Sequence, residues 1–80
     1  MERTAFGDWI YDQLSPHGIT VVELSDYSGI HIRSLYRLLN GETVLKVADW
    51  IWLCECIADM TDRDTSETVK DSADYLLAHK

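Results

Sequence analysis

The sequence predicts one compact all-α domain built from five helices. Apolar residues recur at steps of three and four along almost the whole chain, which is the period of a helix packed on one side. No segment shows the two-residue alternation of a half-buried strand. A length of 80 residues allows a single domain. A composition with 46% hydrophobic and 26% charged residues is typical of a globular chain rather than a disordered one.

The first helix is predicted over about residues 4–15. Pro16 and Gly18 favour an end there, because the residue before a proline is biased away from helix and glycine suits a C-terminal turn. The apolar stripe that we expect this helix to bury consists of Phe6, Trp9, Ile10 and Leu14.

A short second helix is predicted over about residues 20–27. Thr20 is a favourable N-cap, and Glu23 lies three residues later, where it completes a capping box. Leu24 and Tyr27 are expected on the inner side of this helix.

The third helix is predicted over about residues 31–39, only a few residues after the second. In the link between them, Gly29 is expected to adopt a left-handed conformation that turns the chain sharply, with Ile30 buried behind it. Asn40-Gly41 is a typical signal for the end of a helix. Its buried stripe is predicted to be Leu35, Leu38 and Leu39, and its opposite face carries Ile32, Arg33, Tyr36 and Arg37.

The fourth and fifth helices are predicted over about residues 46–58 and 66–79, with a solvated turn over 59–64 between them. Thr65 or Ser66 is expected to cap the last helix. We expect residues 4–58 to form the core of the domain and the last helix to be an added element. The fourth helix is predicted to bury Val47, Trp50, Leu53, Cys54 and Ile57.

Charge is distributed unevenly along the chain. The net charge is −7 and the sequence pI is about 4.6, which argues against indiscriminate binding to nucleic acid, because phosphate contacts come from Lys and Arg. Residues 28–46 are the exception. This window holds three basic residues, Arg33, Arg37 and Lys46, against one acidic residue, Glu42. The predicted third helix therefore lies in the one positive stretch of an otherwise negative chain.

Residues 20–41 predict two short helices joined by a glycine-containing turn, a geometry that holds the second helix out for a DNA major groove. The capped second helix contains Leu24-Ser25, the turn is Ser28-Gly29-Ile30, and the third helix has leucines at 35 and 38 before Gly41 closes it. This pattern resembles the helix-turn-helix of the Cro/phage-repressor family, also called Xre or lambda-repressor-like. The apolar spacing over residues 47–57 resembles the fourth helix of that family.

The resemblance implies a lambda-repressor-like domain with its helix-turn-helix at about residues 20–39. The expected function is that of a sequence-specific DNA-binding transcriptional regulator, most simply a repressor. Ile32 and Arg33 fall where members of the family read bases, with Arg37 one turn further on, and Arg33 can bind guanine O6 and N7 together. Phosphate or sugar contacts are expected from His31, Ser34, Tyr36, Asn40 and Lys46, and from backbone N–H groups at Thr20.

Many members of this family dimerise through elements after the motif, because a single reading head buries too little surface to be selective. We therefore expect a homodimer on a roughly palindromic operator. The predicted dimer interface combines Trp52 and Cys56 of the fourth helix with Val69, Ala73, Leu76 and Leu77 of the fifth. The alternative is that the last helix covers Trp52 and Cys56 within its own subunit.

A second interpretation keeps the scaffold but replaces DNA with a protein partner. The net charge of −7, Val21 at a position that is often glutamine in DNA-binding members, and Ile32 with Tyr36 on the exposed face all suit it. Such an acidic module would be an inhibitor of a phage or host factor, a DNA mimic or an antitoxin.

The sequence contains no pattern typical of an enzyme. It has no Gly-rich phosphate loop, no Ser/His/Asp set and no HExxH run, so neither catalysis nor a cofactor is expected. Cys54 and Cys56 lie two apart on a helix and point in different directions, so no metal site is expected, and Cys54 is predicted to be a small buried apolar residue.

The sequence also predicts a cytoplasmic protein without membrane contact. Its longest uncharged apolar run, residues 50–54, is far shorter than the roughly 20 residues that span a bilayer. The N-terminus lacks the basic-then-apolar layout of a secretory signal.

Overall fold

The computed structural model describes residues 4–78 and confirms the all-α fold class. Five helices and one 3-10 turn follow each other over this range. They are α1 Ala5–Leu14, the 3-10 turn Ser15–His17, α2 Val21–Ser28, α3 Ile32–Leu39, α4 Val47–Met60 and α5 Thr65–Ala78. Each helix lies within two residues of its predicted bounds, and position 79, the predicted end of the last helix, lies outside the described residues.

The core lies between all five helices. It contains the whole predicted stripe of α1 and the three leucines of α3. Val21 and Leu24 from α2 and Leu53, Cys54, Cys56 and Ile57 from α4 complete the buried cluster. Every buried side-chain nitrogen or oxygen in the described range has a hydrogen-bond partner.

Two residues predicted to be buried are exposed instead. Val47 is the first residue of α4 and its side chain is 70% exposed, so burial on this helix starts one turn later, at the half-buried Trp50. Tyr27 is 47% exposed, because α2 buries the stripe formed by Val21, Leu24, Ser25 and Ser28, and Tyr27 lies beside it.

The connection between α4 and α5 is shorter than predicted, because α4 continues to Met60. The backbone N–H of Arg63 donates to the Ala58 carbonyl at 2.7 Å, and Asp62 has a positive φ of 56°. Together they form the left-handed C-terminal turn that commonly ends a helix. Asp64, rather than Thr65 or Ser66, caps α5, since its Oδ1 accepts from the Glu67 N–H at 3.2 Å.

The start of α1 is fastened to the end of α3. Thr4 caps α1 by accepting from the Gly7 N–H at 3.0 Å, and both its backbone N–H and its hydroxyl donate to the Leu39 carbonyl. A Cβ at Gly7 would overlap the Leu39 carbonyl oxygen and lie 3.1 Å from its carbon. Gly7 thus lets two backbones approach closely and holds α3 at a defined position on the core.

The last helix packs within its own subunit. The Trp50 indole N–H donates to Ser72 Oγ at 2.9 Å, and the Trp9 indole N–H donates to Asp71 Oδ2 at 3.0 Å. Val69 and Leu76 pack against the core. The fifth helix is therefore part of the folded domain. No helix within residues 4–78 is long and apolar enough to cross a membrane.

Candidate nucleic-acid interface

The α2–turn–α3 unit begins with the predicted capping box. Thr20 Oγ1 accepts from the Glu23 N–H at 3.1 Å, and Glu23 Oε1 accepts from the Thr20 N–H at 3.3 Å. This reciprocal pair satisfies two backbone donors at the start of α2. The first residue of α2, Val21, is buried in the core, and this burial stabilises the start of the helix.

The turn between α2 and α3 is held by two serine hydroxyls whose role the helical pattern did not predict. Gly29 has the predicted left-handed conformation, with φ of 77°. Ser25 Oγ donates to the Ile30 carbonyl at 2.6 Å, and Ser28 Oγ accepts from the Ile30 N–H at 3.2 Å. Both serines are buried, and Ile30 packs against the core, so the angle between the two helices is well determined. Serine in a turn next to glycine is the signal that could have indicated this role.

The outer face of α3 presents two cationic side chains. Arg33 and Arg37 are four residues apart, about one helical turn, and both are exposed. Neither guanidinium makes an ion pair with another residue of the described range. Leu35, Leu38 and Leu39 anchor the opposite side of this helix in the core. The helix therefore offers both arginines outward on a rigid support.

The other predicted contact residues differ in accessibility. Ser34, Tyr36, Lys46 and Thr20 are exposed, and Asn40 is half-buried. His31 is exposed, but its Nδ1 caps α3 by accepting from the Arg33 N–H at 3.2 Å, so only Nε2 is free to contact a ligand.

Ile32 is less accessible than a base-reading role requires. It was expected on the exposed face of α3, but its side chain is half-buried and packs against the core. Ile32 is the first residue of α3 and comes three residues after Gly29 in the chain. An apolar contact from Ile32 to a base would be restricted to its exposed edge.

Carboxylates flank α3 on both sides. Asp26 lies with His31 and Ile32 on a shallow groove of about 510 Å³ between α2 and α3. Asp49 lies with Ser34 and Arg37 on a depression of about 380 Å³ next to α4. Because these carboxylates are negatively charged, the positive charge on this side of the protein is confined to the ridge formed by Arg33 and Arg37.

One member of the predicted dimer interface, Cys56, is internal to the chain, which corrects that part of the prediction. Cys56 was expected on an outer face of α4, but it is 1% exposed because α4 packs against both α2 and α5 and so buries two faces. Burial and the nearby Glu55 raise the pKa of the Cys56 thiol to about 11. The α5 residues Val69, Ala73 and Leu76 are half-buried, and only Trp52 and Leu77 of the predicted set remain exposed.

Among the described residues, no group of three or more His, Cys, Asp or Glu side chains is arranged to hold a metal ion. Comparison with protein-family models, with curated proteins and with solved structures found no match to this chain. The likeness to the Cro/phage-repressor family therefore stays a prediction that depends on the residues of the α2–turn–α3 unit and the helix after it.

Proposed function

We propose that the protein is a sequence-specific DNA-binding transcriptional regulator that inserts α3 into the major groove. The observation that carries this proposal is the pair Arg33 and Arg37, exposed on one face of α3 and free of ion pairs within residues 4–78. An α-helix fits the major groove, which is about 12 Å wide. Arg33, near the N-terminal end of α3, reads a guanine, and Arg37 contacts a base or phosphate one turn further on.

The remaining contacts position the helix rather than read sequence. In this proposal Ser34, Tyr36 and Lys46 bind phosphate or sugar, and the N-terminal end of α2 at Thr20 faces a phosphate. The net negative charge of the chain orients the molecule so that the ridge of Arg33 and Arg37 approaches the duplex, and it suppresses non-specific binding. Since few cations take part, binding should weaken with salt less steeply than it does for a strongly basic repressor.

We further propose that two copies bind a two-fold symmetric operator, because one short helix reads too few bases to be selective. The chain would then repress transcription by covering a promoter. On α5, Leu77 is the most exposed member of the predicted interface, whereas Cys56 on α4 is buried and out of reach of a second copy.

Selection from a random pool of duplexes at low salt tests this function. The expected result is enrichment of a two-fold symmetric site, and Arg33→Ala should relax the preference at one position in each half-site. Lys70→Ala is the matched control, since it removes one exposed cation on α5 without touching α3. If the folded protein enriches no site, or if Lys70→Ala weakens binding as much as Arg33→Ala, sequence-specific binding through α3 is refuted.

One observation favours the second candidate, an acidic protein-binding module. Exposed apolar side chains lie in and after α3, with Tyr36 41% exposed and Val44 and Val47 still more accessible. A partner protein captured through this surface, together with the absence of an enriched DNA site, would support that function instead. Tyr36→Ala and Val47→Ser should then weaken capture, while Arg33→Ala should matter less.

A further inference from the structure

A second surface, distinct from the α3 face, combines aromatic rings with carboxylates. A groove of about 320 Å³ lies between the end of α2, the outer side of α4 and the loop before α5. Its walls are Tyr27 and Trp52, its acidic side is Glu55 and Asp59, and Cys56 lies at its floor. We call it the Trp52 groove. It shares no residue with the predicted DNA contacts.

The indole of Trp52 is held in place although it is exposed. Its N–H donates to the Ser28 carbonyl at 2.9 Å, and 42% of its surface remains accessible. Tyr27, on the neighbouring helix, is 47% exposed. An indole that is fixed before binding loses little side-chain entropy when a ligand stacks on it. Its ring faces carry the negative quadrupole that attracts cations.

The charges around the groove select the same kind of ligand. Glu55 and Asp59 are four residues apart on α4 and both are exposed at the groove. The one cation on the lining, Arg63, is already engaged through Nη1, which donates to Gln13 Oε1 on α1 at 2.6 Å. The net charge of the whole chain, −7, adds a long-range attraction for positive partners.

The size of the groove limits the ligand to about one side chain. Small-molecule sites begin at about 300 Å³, and this groove is open and shallow rather than enclosed. A guanidinium fits better than an ammonium, because its plane stacks on an indole while its N–H fork reaches carboxylates. We propose that the Trp52 groove binds an arginine side chain from a segment of a partner protein. The arginine stacks on Trp52 and donates to Glu55 and Asp59.

This proposal does not depend on the contact of α3 with DNA, and the two can fail separately. It assigns Trp52 to an arginine of a partner protein rather than to the predicted dimer interface. Both outcomes are measured on the full chain, one with a DNA duplex and one with a peptide. If both hold, the protein recruits an arginine-bearing partner through α4 while α3 binds DNA.

The test is a titration of the full chain with the peptide acetyl-Gly-Ser-Arg-Ser-Gly-amide, followed by two-dimensional NMR of the tryptophan indole N–H signals. The Trp52 indole should shift with saturation, whereas the signals of Trp9 and Trp50, whose N–H groups donate to Asp71 and Ser72, should stay in place. The control peptide carries citrulline, which has the shape of arginine without its charge. Its dissociation constant should be larger by about fivefold or more.

Matched charge variants complete the test. Glu55→Gln with Asp59→Asn should weaken the arginine peptide about fivefold or more. Glu67→Gln with Asp74→Asn removes the same charge from exposed positions of α5 and should change little. Equal binding of the citrulline peptide, or equal loss in both double variants, would overturn the proposal. So would a Trp52 shift that follows protein concentration alone, because a second copy would then occupy the groove.

Discussion

A methyl group added at position 7 is expected to loosen the contact that sets the position of α3. Gly7 lies in α1 against the end of α3, and its added Cβ would overlap the Leu39 carbonyl oxygen and lie 3.1–3.2 Å from two other backbone atoms of Leu39. None of these atoms is the flexible end of a side chain, so one helix has to move. The same carbonyl accepts from the Thr4 N–H and hydroxyl, so the movement also strains the cap of α1.

Two opposing effects set the magnitude for Gly7→Ala. Helix propensity alone favours alanine over glycine by about 0.5–1 kcal/mol. Overpacking at a tight contact costs about 1–3 kcal/mol. The expected net effect is a loss of about 1 kcal/mol in the free energy of unfolding. For a domain of this size, such a loss lowers Tm by about 4–8 °C.

Urea unfolding followed by circular dichroism measures this effect. Ala48→Gly, at an exposed position of α4, calibrates helix propensity in the same protein and should also destabilise it, by about 0.5 kcal/mol. Both changes, Gly→Ala at 7 and Ala→Gly at 48, are thus expected to lower stability. If Gly7→Ala instead raises the unfolding midpoint, α1 and α3 do not approach as closely as described, and the argument for a fixed α3 is wrong.

Three further changes test other parts of the fold. Thr20→Ala removes the capping box and should cost about 1 kcal/mol of stability, measured by urea unfolding against the exposed, non-capping Thr65→Ala as control. Ser72→Ala leaves the Trp50 indole N–H without its acceptor and should lower the free energy of unfolding by about 1–3 kcal/mol. An unchanged free energy of unfolding would mean that this hydrogen bond does not stabilise the fold. Burial raises the pKa of the Cys56 thiol from 9.0 to about 11, so the folded state binds its proton more tightly than the unfolded state does. The neutral thiol's contribution to the free energy of unfolding is therefore complete below pH 9 and is lost as pH rises from 9 to 11. Cys56→Ala should make the fall in the free energy of unfolding between pH 9 and 11 shallower. An unchanged slope would contradict the raised pKa of the Cys56 thiol.

The elements that could be predicted from the sequence are those fixed by neighbours in the chain. The capping box joins Thr20 to Glu23, and the Gly29 turn involves residues within one helical turn of it. Such interactions leave a local signature, because the partners are close in sequence whatever the rest of the fold does. The α3 face follows in the same way, since three leucines at helical spacing determine which side is buried and hence that Arg33 and Arg37 point outward.

The errors concentrate where a helix has more than one apolar face. Apolar residues surround most of α4, so periodicity alone could not tell that Cys56 is buried and that Val47 is exposed. The same uncertainty placed the buried Cys56 in the predicted dimer interface. In the fold, α4 packs against α2 on one side and α5 on another, and both faces are used.

From its sequence alone, this protein was recognisable as five helices with a glycine turn before a cationic third helix, because caps, turns and helical period act over a few residues. Only the tertiary structure decided that α5 closes onto its own subunit, through bonds such as the one from Trp9 to Asp71, 62 residues apart. It also decided that Trp52 and Tyr27 line one groove together with two carboxylates. Contacts of this kind depend on how whole helices pack, and packing is set by the complete core rather than by any segment of the chain.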